Sequence, residues 1–112
     1  MSPVRLTHAT SLILQALASG RRHGFQIMEV TGLASGTVYP VLRRLEKEAM
    51  VDSRWEDEEA ARDAGRRRRR IYHLTASGQL LAEKARQRLA RTQRVLADEG
   101  LGPVGASEAG EA

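Results

Sequence analysis

A chain of 112 residues with 41% apolar side chains holds one domain with a modest core, too little for two independent ones. Lysine and arginine outnumber aspartate and glutamate by 18 to 14, a net charge of +4 that favours a polyanionic partner. Cysteine is absent, which excludes disulfides, thiolate metal sites and a cysteine nucleophile, and no apolar run approaches the roughly 18 residues of a membrane span. The start, Met1-Ser2-Pro3, has no basic segment leading into an apolar stretch, so a secretory signal is not expected and cytoplasmic residence is.

Residues 7–19 predict a first helix. Thr7 is a capping residue, Leu12, Ile13, Ala16 and Leu17 form an inward stripe, and Gly20 stops the helix. A short second helix is expected at 24–30, with Phe25, Ile27, Met28 and Val30 as its apolar surface. His23 opens that helix by capping or packing. Thr31-Gly32-Leu33 then makes a tight turn.

A third helix is expected at 35–48. Val38, Leu42 and Leu45 repeat at helical spacing, while Ser35, Thr37, Tyr39, Arg43 and Arg44 fall largely on the remaining surface. Hydroxyls and helix-start N–H groups take phosphates, and arginine takes a phosphate or a guanine edge. Helix, helix, short turn, helix is the tri-helical form of helix-turn-helix. Pro40 breaks the local rule, since it removes a bond toward Gly36, and a kink or a loosened first turn is expected.

Residues 50–56 and 71–74 alternate as two strands and predict a β-hairpin wing. The polar segment between them, Asp57 to Arg70, is acidic in its first half and ends in the run Arg66–Arg70. Its tip is expected to be disordered, with phosphate repelling the acidic half and attracting the basic one. Trp55, the lone tryptophan, is expected to pack beneath the sheet against the first or last helix. From Thr75 a last helix runs to about Glu99, and Leu81, Ala85, Leu89, Thr92 and Leu96 recur as a narrow coiled-coil-like seam. That seam is expected to pair with a second subunit. Residues 100–112, rich in glycine, alanine and glutamate, are expected to be disordered.

Catalytic chemistry finds no support. His8, His23 and His73 stand apart from any second ligand at helical spacing, so no metal site is expected. The dense carboxylates lie in the loop at 56–63, and Gly36-Thr37 lacks the Gly-Lys-Ser/Thr ending of a phosphate loop. Neither an enzyme nor a cofactor is expected.

Four segments in order resemble the PadR family of transcriptional regulators, in its short form with a single C-terminal helix. They are Ile13-Leu14-Gln15-Ala16-Leu17 with His23-Gly24-Phe25, then Gly36-Thr37-Val38-Tyr39-Pro40-Val41-Leu42-Arg43-Arg44-Leu45-Glu46, then Val51-Asp52-Ser53-Arg54-Trp55-Glu56, and finally Arg69-Arg70-Ile71-Tyr72-His73-Leu74-Thr75-Ala76-Ser77-Gly78. The resemblance implies a homodimeric repressor that often releases DNA on binding small aromatic or amphipathic compounds. It also implies groove or phosphate contacts at Ser35, Thr37 and Tyr39, with Arg43 further along the helix and Arg69 and Arg70 at the wing base. Three departures stand out: Ala34 occupies a position where such sequences often have a capping serine, the second helix is short, and the C-terminal helix carries no aromatic residue.

The resulting expectation is a mainly α fold with a small β-hairpin: a winged helix-turn-helix over 1–75, a dimerisation helix over 76–99 and a tail over 100–112. Its partners would be double-stranded DNA, a second copy of the chain and a small-molecule effector of unidentified chemistry, with no membrane. DNA contacts are assigned to Ser35, Gly36, Thr37, Tyr39, Arg43, Arg44, Arg68, Arg69 and Arg70. The competing reading is a winged-helix protein-interaction module or a non-specific nucleic-acid binder. Salt dependence and preference for one operator separate these.

Overall fold

In the computed structural model, which describes residues 4–99, the chain runs α1 (His8–Ala18), α2 (Gly24–Thr31), α3 (Ser35–Lys47), β1 (Val51–Trp55), α4 (Glu58–Asp63), β2 (Arg70–Leu74) and α5 (Ala76–Asp98). Thr7 caps α1 as expected, its Oγ1 accepting the Thr10 N–H at 3.1 Å. The inward stripe shifts by one residue: Leu14 joins Ile13, Ala16 and Leu17 in the core, while Leu12 is half-buried on the flank facing the far end of α5. His23 is the N-cap residue of α2, and Gln26 Oε1 accepts the backbone N–H groups of Arg22 (2.9 Å) and His23 (3.2 Å). Of the four apolar residues expected to serve α2, Ile27 is fully buried, Met28 is partly buried, and Phe25 and Val30 are exposed. Phe25 lies two residues from Ile27, about 200° round the helix, and so faces outward.

Gly32 ends α2 at φ 75°, a conformation that glycine adopts without strain. Ala34 then stands at the N-cap of α3 with no side chain to offer it. The first turn compensates by tightening, with the N–H groups of Thr37 (2.9 Å) and Val38 (3.0 Å) both reaching the Ala34 carbonyl. The helix runs unbroken through Pro40. Val38, Val41, Leu42 and Leu45 form its buried side.

β1 and β2 pair antiparallel from Val51↔Leu74 to Trp55↔Arg70. Val51, Ser53 and Trp55 therefore share a face with Leu74, Tyr72 and Arg70. That face is buried at Val51 and Tyr72, but the ribbon outruns the core and Trp55 is 53% exposed, not packed beneath the sheet. The connecting segment is likewise more ordered than expected. Asp57 caps α4 through its side chain on the Ala60 N–H (3.0 Å), Glu58 and Glu59 sit in the first turn where the helix dipole favours them, and Ala61 is buried.

α5 begins against the α3–β1 junction. Thr75 Oγ1 accepts the Gly78 N–H (3.0 Å) and donates to the Ala49 carbonyl (2.7 Å), and the Thr75 N–H reaches the Met50 carbonyl (3.0 Å). A Cβ on Gly78 would fall on that Met50 carbonyl, so only glycine lets the helix start this close. Further on, Ala82 and Ala85 are buried, α1 and α5 share a broad contact, and Gln15 Nε2 donates to the Ala82 carbonyl at 2.7 Å. Ala85 was expected in an intersubunit seam; it is fully enclosed by its own chain, because its small side chain lets α5 lie close to α1.

The core is thus a single cluster of Ile13, Leu14, Leu17, Ile27, Val38, Leu42, Leu45 and Val51, with Tyr72, Ala82 and Ala85 closing it. Each large side chain contributes about 1.5–3 kcal/mol by leaving water. It holds α3 with its polar side outward. The tail expected over 100–112 lies outside the described residues.

Candidate nucleic-acid interface

An α-helix turns about 100° per residue. With Val38, Val41, Leu42 and Leu45 inward, the opposite line of α3 is Gly36, Pro40, Arg43 and Lys47, all exposed. Two positions on that line have no extended side chain and two carry cations. A rod-like surface can therefore approach the first turn closely while Arg43 and Lys47 reach forward. Ser35 and Tyr39 flank the line on one side and Thr37 and Arg44 on the other, so the expected α3 residues fall on one solvent-facing surface. Lys47 was missed, although its spacing of four from Arg43 places it on the same face. Among the described residues nothing lies within 4 Å of where a Gly36 Cβ would stand.

Tyr39 is also held by the fold. Its ring rests on Gly24, where an added Cβ would collide with it, so the start of α2 pins the phenol. It retains 37% exposure.

The wing arginines are not five equal free cations. Glu56, at the end of the first expected strand, is buried among them. Arg66 Nη1 and Nη2 donate to its two carboxylate oxygens, the second at 2.7 Å, and the Arg69 N–H also reaches Oε1 at 3.3 Å. Arg68 Nε donates to the Glu56 carbonyl at 3.0 Å. The Arg66 hydrogen bonds, with the Arg69 N–H and the positive charges of both residues, hold the Glu56 carboxyl down to about 2. Glu56 is a brace that neutralises Arg66 and shapes the strand carrying the others.

Arg70 is tied differently. Its Nε donates to Ser53 Oγ (3.0 Å), which donates in turn to Glu46 Oε2 of α3 (2.6 Å), linking wing to helix. The guanidinium carbons of Arg70 and Arg68 lie 5.1 and 5.8 Å from the Trp55 ring centroid, within cation–π range. Arg69 is half-buried, and its Nε has no hydrogen-bond partner. Burial, reinforced by the charge of Arg69, lowers the pKa of His23, which keeps the imidazole neutral at pH 7. Arg67, left out of the expected site, is exposed and has no side-chain partner among the described residues. Position in a run does not tell which arginine is free.

The described residues include no group of three metal-ligating side chains, and no helix among them is long and apolar enough to cross a membrane.

Several solved structures with this architecture are transcriptional regulators. A PadR family transcription regulator from Clostridium difficile R20291 superposes with a TM-score of 0.67 at 24% identity, covering 82% of this chain and 97% of that one. A PadR-like transcriptional regulator from Bacillus cereus gives 0.64 at 19% identity, covering 84% and 92%. The PcaV transcriptional regulator from Streptomyces coelicolor, solved in complex with its natural ligand, gives 0.66 at 24% identity. The match there covers 82% of this chain but only 62% of PcaV. No curated protein matches the sequence. The model of the transcriptional regulator PadR-like family matches residues 13–84, well over half of the chain. With its winged helix-turn-helix fold, the chain belongs to the PadR-like family of transcriptional regulators and is a DNA-binding regulator of transcription, not an enzyme.

Proposed function

We propose that the protein is a homodimeric repressor that binds an imperfect palindrome, with the exposed line of α3 in the major groove and the wing on the adjacent backbone. The observation that carries this is the outward face of α3, on which Gly36 and Pro40 permit close approach and Arg43 and Lys47 supply charge. Ser35, Gly36, Thr37 and Tyr39 contact the backbone and groove edge near the helix start. Arg43 reads a base, and Arg44, Arg68, Arg69 and Arg70 hold phosphates, joined by Lys47 and Arg67. In a dimer two such helices enter successive major grooves about 34 Å apart.

The dimer forms through the second half of α5. Support comes from what that half leaves uncovered: Val95 and Leu96 are 45% and 47% exposed, and Leu89, Thr92 and Leu96 line a groove of about 500 Å³ with His8 and Leu12 of α1. Leu81, partly buried against the core, lies at the near end of the seam. A domain this small gains needed apolar burial by pairing there. An effector that altered the angle between the α5 helices would change the spacing of the recognition helices and release DNA. That some structures of this fold are ligand-bound, PcaV among them, favours such an effector here.

The test is a salt-resolved titration of operator and random duplexes. Arg67→Gln with Arg68→Gln weakens both duplexes alike and flattens the log–log salt slope by about 1–2, since each lost phosphate contact removes about 0.9. Arg43→Ala changes the preference between duplexes. Equal, sequence-independent losses from both variants would refute the division of roles.

A further inference from the structure

The chain has only four phenylalanine, tyrosine and tryptophan residues, Phe25, Tyr39, Trp55 and Tyr72, and all four line one cleft of about 360 Å³. The cleft lies between the start of α2, the first half of α3 and the inner face of the wing. Its walls are tied together. The Tyr39 ring of α3 rests on Gly24 of α2, the Tyr72 N–H donates to the Arg22 carbonyl just before α2 (2.9 Å), and Arg70 reaches Glu46 of α3 through Ser53. Tyr72 forms the buried floor, while Phe25 (60%), Trp55 (53%) and Tyr39 (37%) keep large exposed faces. Three rings left in water on one fixed surface forgo hydrophobic stabilisation, and aromatic side chains gathered in this way mark a contact surface.

The chemistry of the lining narrows what covers it. Arg68, Arg69 and Arg70 supply positive charge, and none of the described residues lining the cleft is acidic. The neighbouring carboxylate, Glu56, is spent on Arg66. The occupant therefore combines negative charge with apolar faces. A nucleic-acid strand does so along its whole length, since the carbon faces of its sugars are set between phosphates. The cleft is also continuous with the outward surface of α3, because Tyr39 belongs to both, and the chain is a DNA-binding regulator.

We propose that this cleft clamps one backbone strand of duplex DNA, with Arg68, Arg69 and Arg70 on its phosphates and the Phe25 and Trp55 rings packed on its deoxyribose carbons. Phe25 and Trp55 thereby join the DNA interface as apolar contacts, a placement that rests on the docking of α3 and the wing proposed above. Arginine contacts release counterions and weaken as salt rises, whereas burial of a ring against sugar carbons does not. The rings thus supply affinity that persists at high salt. That affinity is indifferent to sequence, because every nucleotide carries the same sugar.

Trp55 is the only tryptophan, so its fluorescence reports the cleft directly. The full-length protein is saturated with operator or random duplex at low salt, and quenching of Trp55 by acrylamide is compared with that in the free protein. Acrylamide is uncharged, so the phosphates do not repel it. The proposal expects quenching to fall severalfold on DNA. Neither ring belongs to the buried core, so Trp55→Ala and Phe25→Ala leave the fold intact, as unchanged far-UV spectra verify. On a labelled duplex each variant binds about fivefold to tenfold more weakly at every salt concentration with the log–log slope unchanged, the loss expected when about 50 Å² of apolar surface is no longer covered. Trp55 as accessible on DNA as off it overturns the proposal, and so does full affinity in either variant. A Trp55→Ala loss accompanied by a slope flattened by about 1–2 overturns it too. The indole would then act only by propping Arg68 and Arg70, whose guanidinium carbons lie 5.8 and 5.1 Å from its ring. Because a random duplex suffices, failure to find an operator, which sinks the repressor reading, leaves the quenching measurement to decide the clamp.

Discussion

Replacing Gly36 by alanine moves stability and DNA binding in opposite directions, which makes it a sharp probe of the α3 surface. Glycine in a helix costs about 1 kcal/mol relative to alanine, and less near a helix end, so Gly36→Ala should stabilise the fold by about 0.5–1 kcal/mol. Nothing within the described subunit opposes the gain, because a Cβ there meets no atom within 4 Å. In a domain of this size that raises Tm by about 2–6 °C. On DNA the same methyl group stands at the start of the outward line, one turn before Pro40, where the helix lacks a side chain. Holding the backbone away by one carbon lengthens its phosphate and groove hydrogen bonds, and losing one or two weakens operator binding by about tenfold or more. Calorimetry at fixed protein concentration and fluorescence anisotropy on an operator duplex measure the two effects. Unchanged affinity, or a lower Tm, would contradict this role for Gly36.

Gly78→Ala should destabilise strongly, by about 3 kcal/mol, since the added Cβ meets the Met50 carbonyl rather than a flexible side chain; thermal unfolding measures it. Ala49 sits at φ 62°, so Ala49→Gly should stabilise by about 0.5–1 kcal/mol in the same assay. Glu56, with its folded pKa lowered to about 2, contributes stability that is complete above its ordinary range near 4.5 and is lost as pH falls from there toward 2. Glu56→Gln should flatten the stability–pH curve in that window, as acid-unfolding midpoints will show. Leu96→Glu puts a charge into the exposed end of the α5 seam and should convert dimer to monomer in light scattering while leaving the far-UV spectrum unchanged.

The helices that carry α3 were legible because their apolar residues recur at helical spacing and their ends carry Thr7, Gly32 and Thr75. Two of the missed pieces share a physical cause: residues that read as solvated charge form local structure. Asp57, Glu58 and Glu59 looked like an acidic loop, yet an N-cap aspartate followed by glutamates in a first turn is a helix start, and α4 forms there. Glu56 read as one more residue of an acidic stretch, yet its spacing of ten from Arg66 becomes a bidentate ion pair once the hairpin closes. Spacing alone cannot foretell that pairing. Trp55 alternates with Val51 and so points to the core face, but strand parity does not say where the core ends. Ala85 fits a seam by spacing and belongs to the core by size. The outward surface of α3 was legible apart from Lys47, whereas the braces that separate the wing arginines from one another form only across the closed hairpin.

Sequence-specific binding by a dimer is tested by a mobility-shift titration with DNA from upstream of the protein's own gene, against random competitor at physiological salt. A dimeric operator-binding repressor gives a complex that survives excess competitor and saturates at two chains per site. Binding that random DNA abolishes as readily as specific DNA would contradict it, and would leave the basic wing a general polyanion patch.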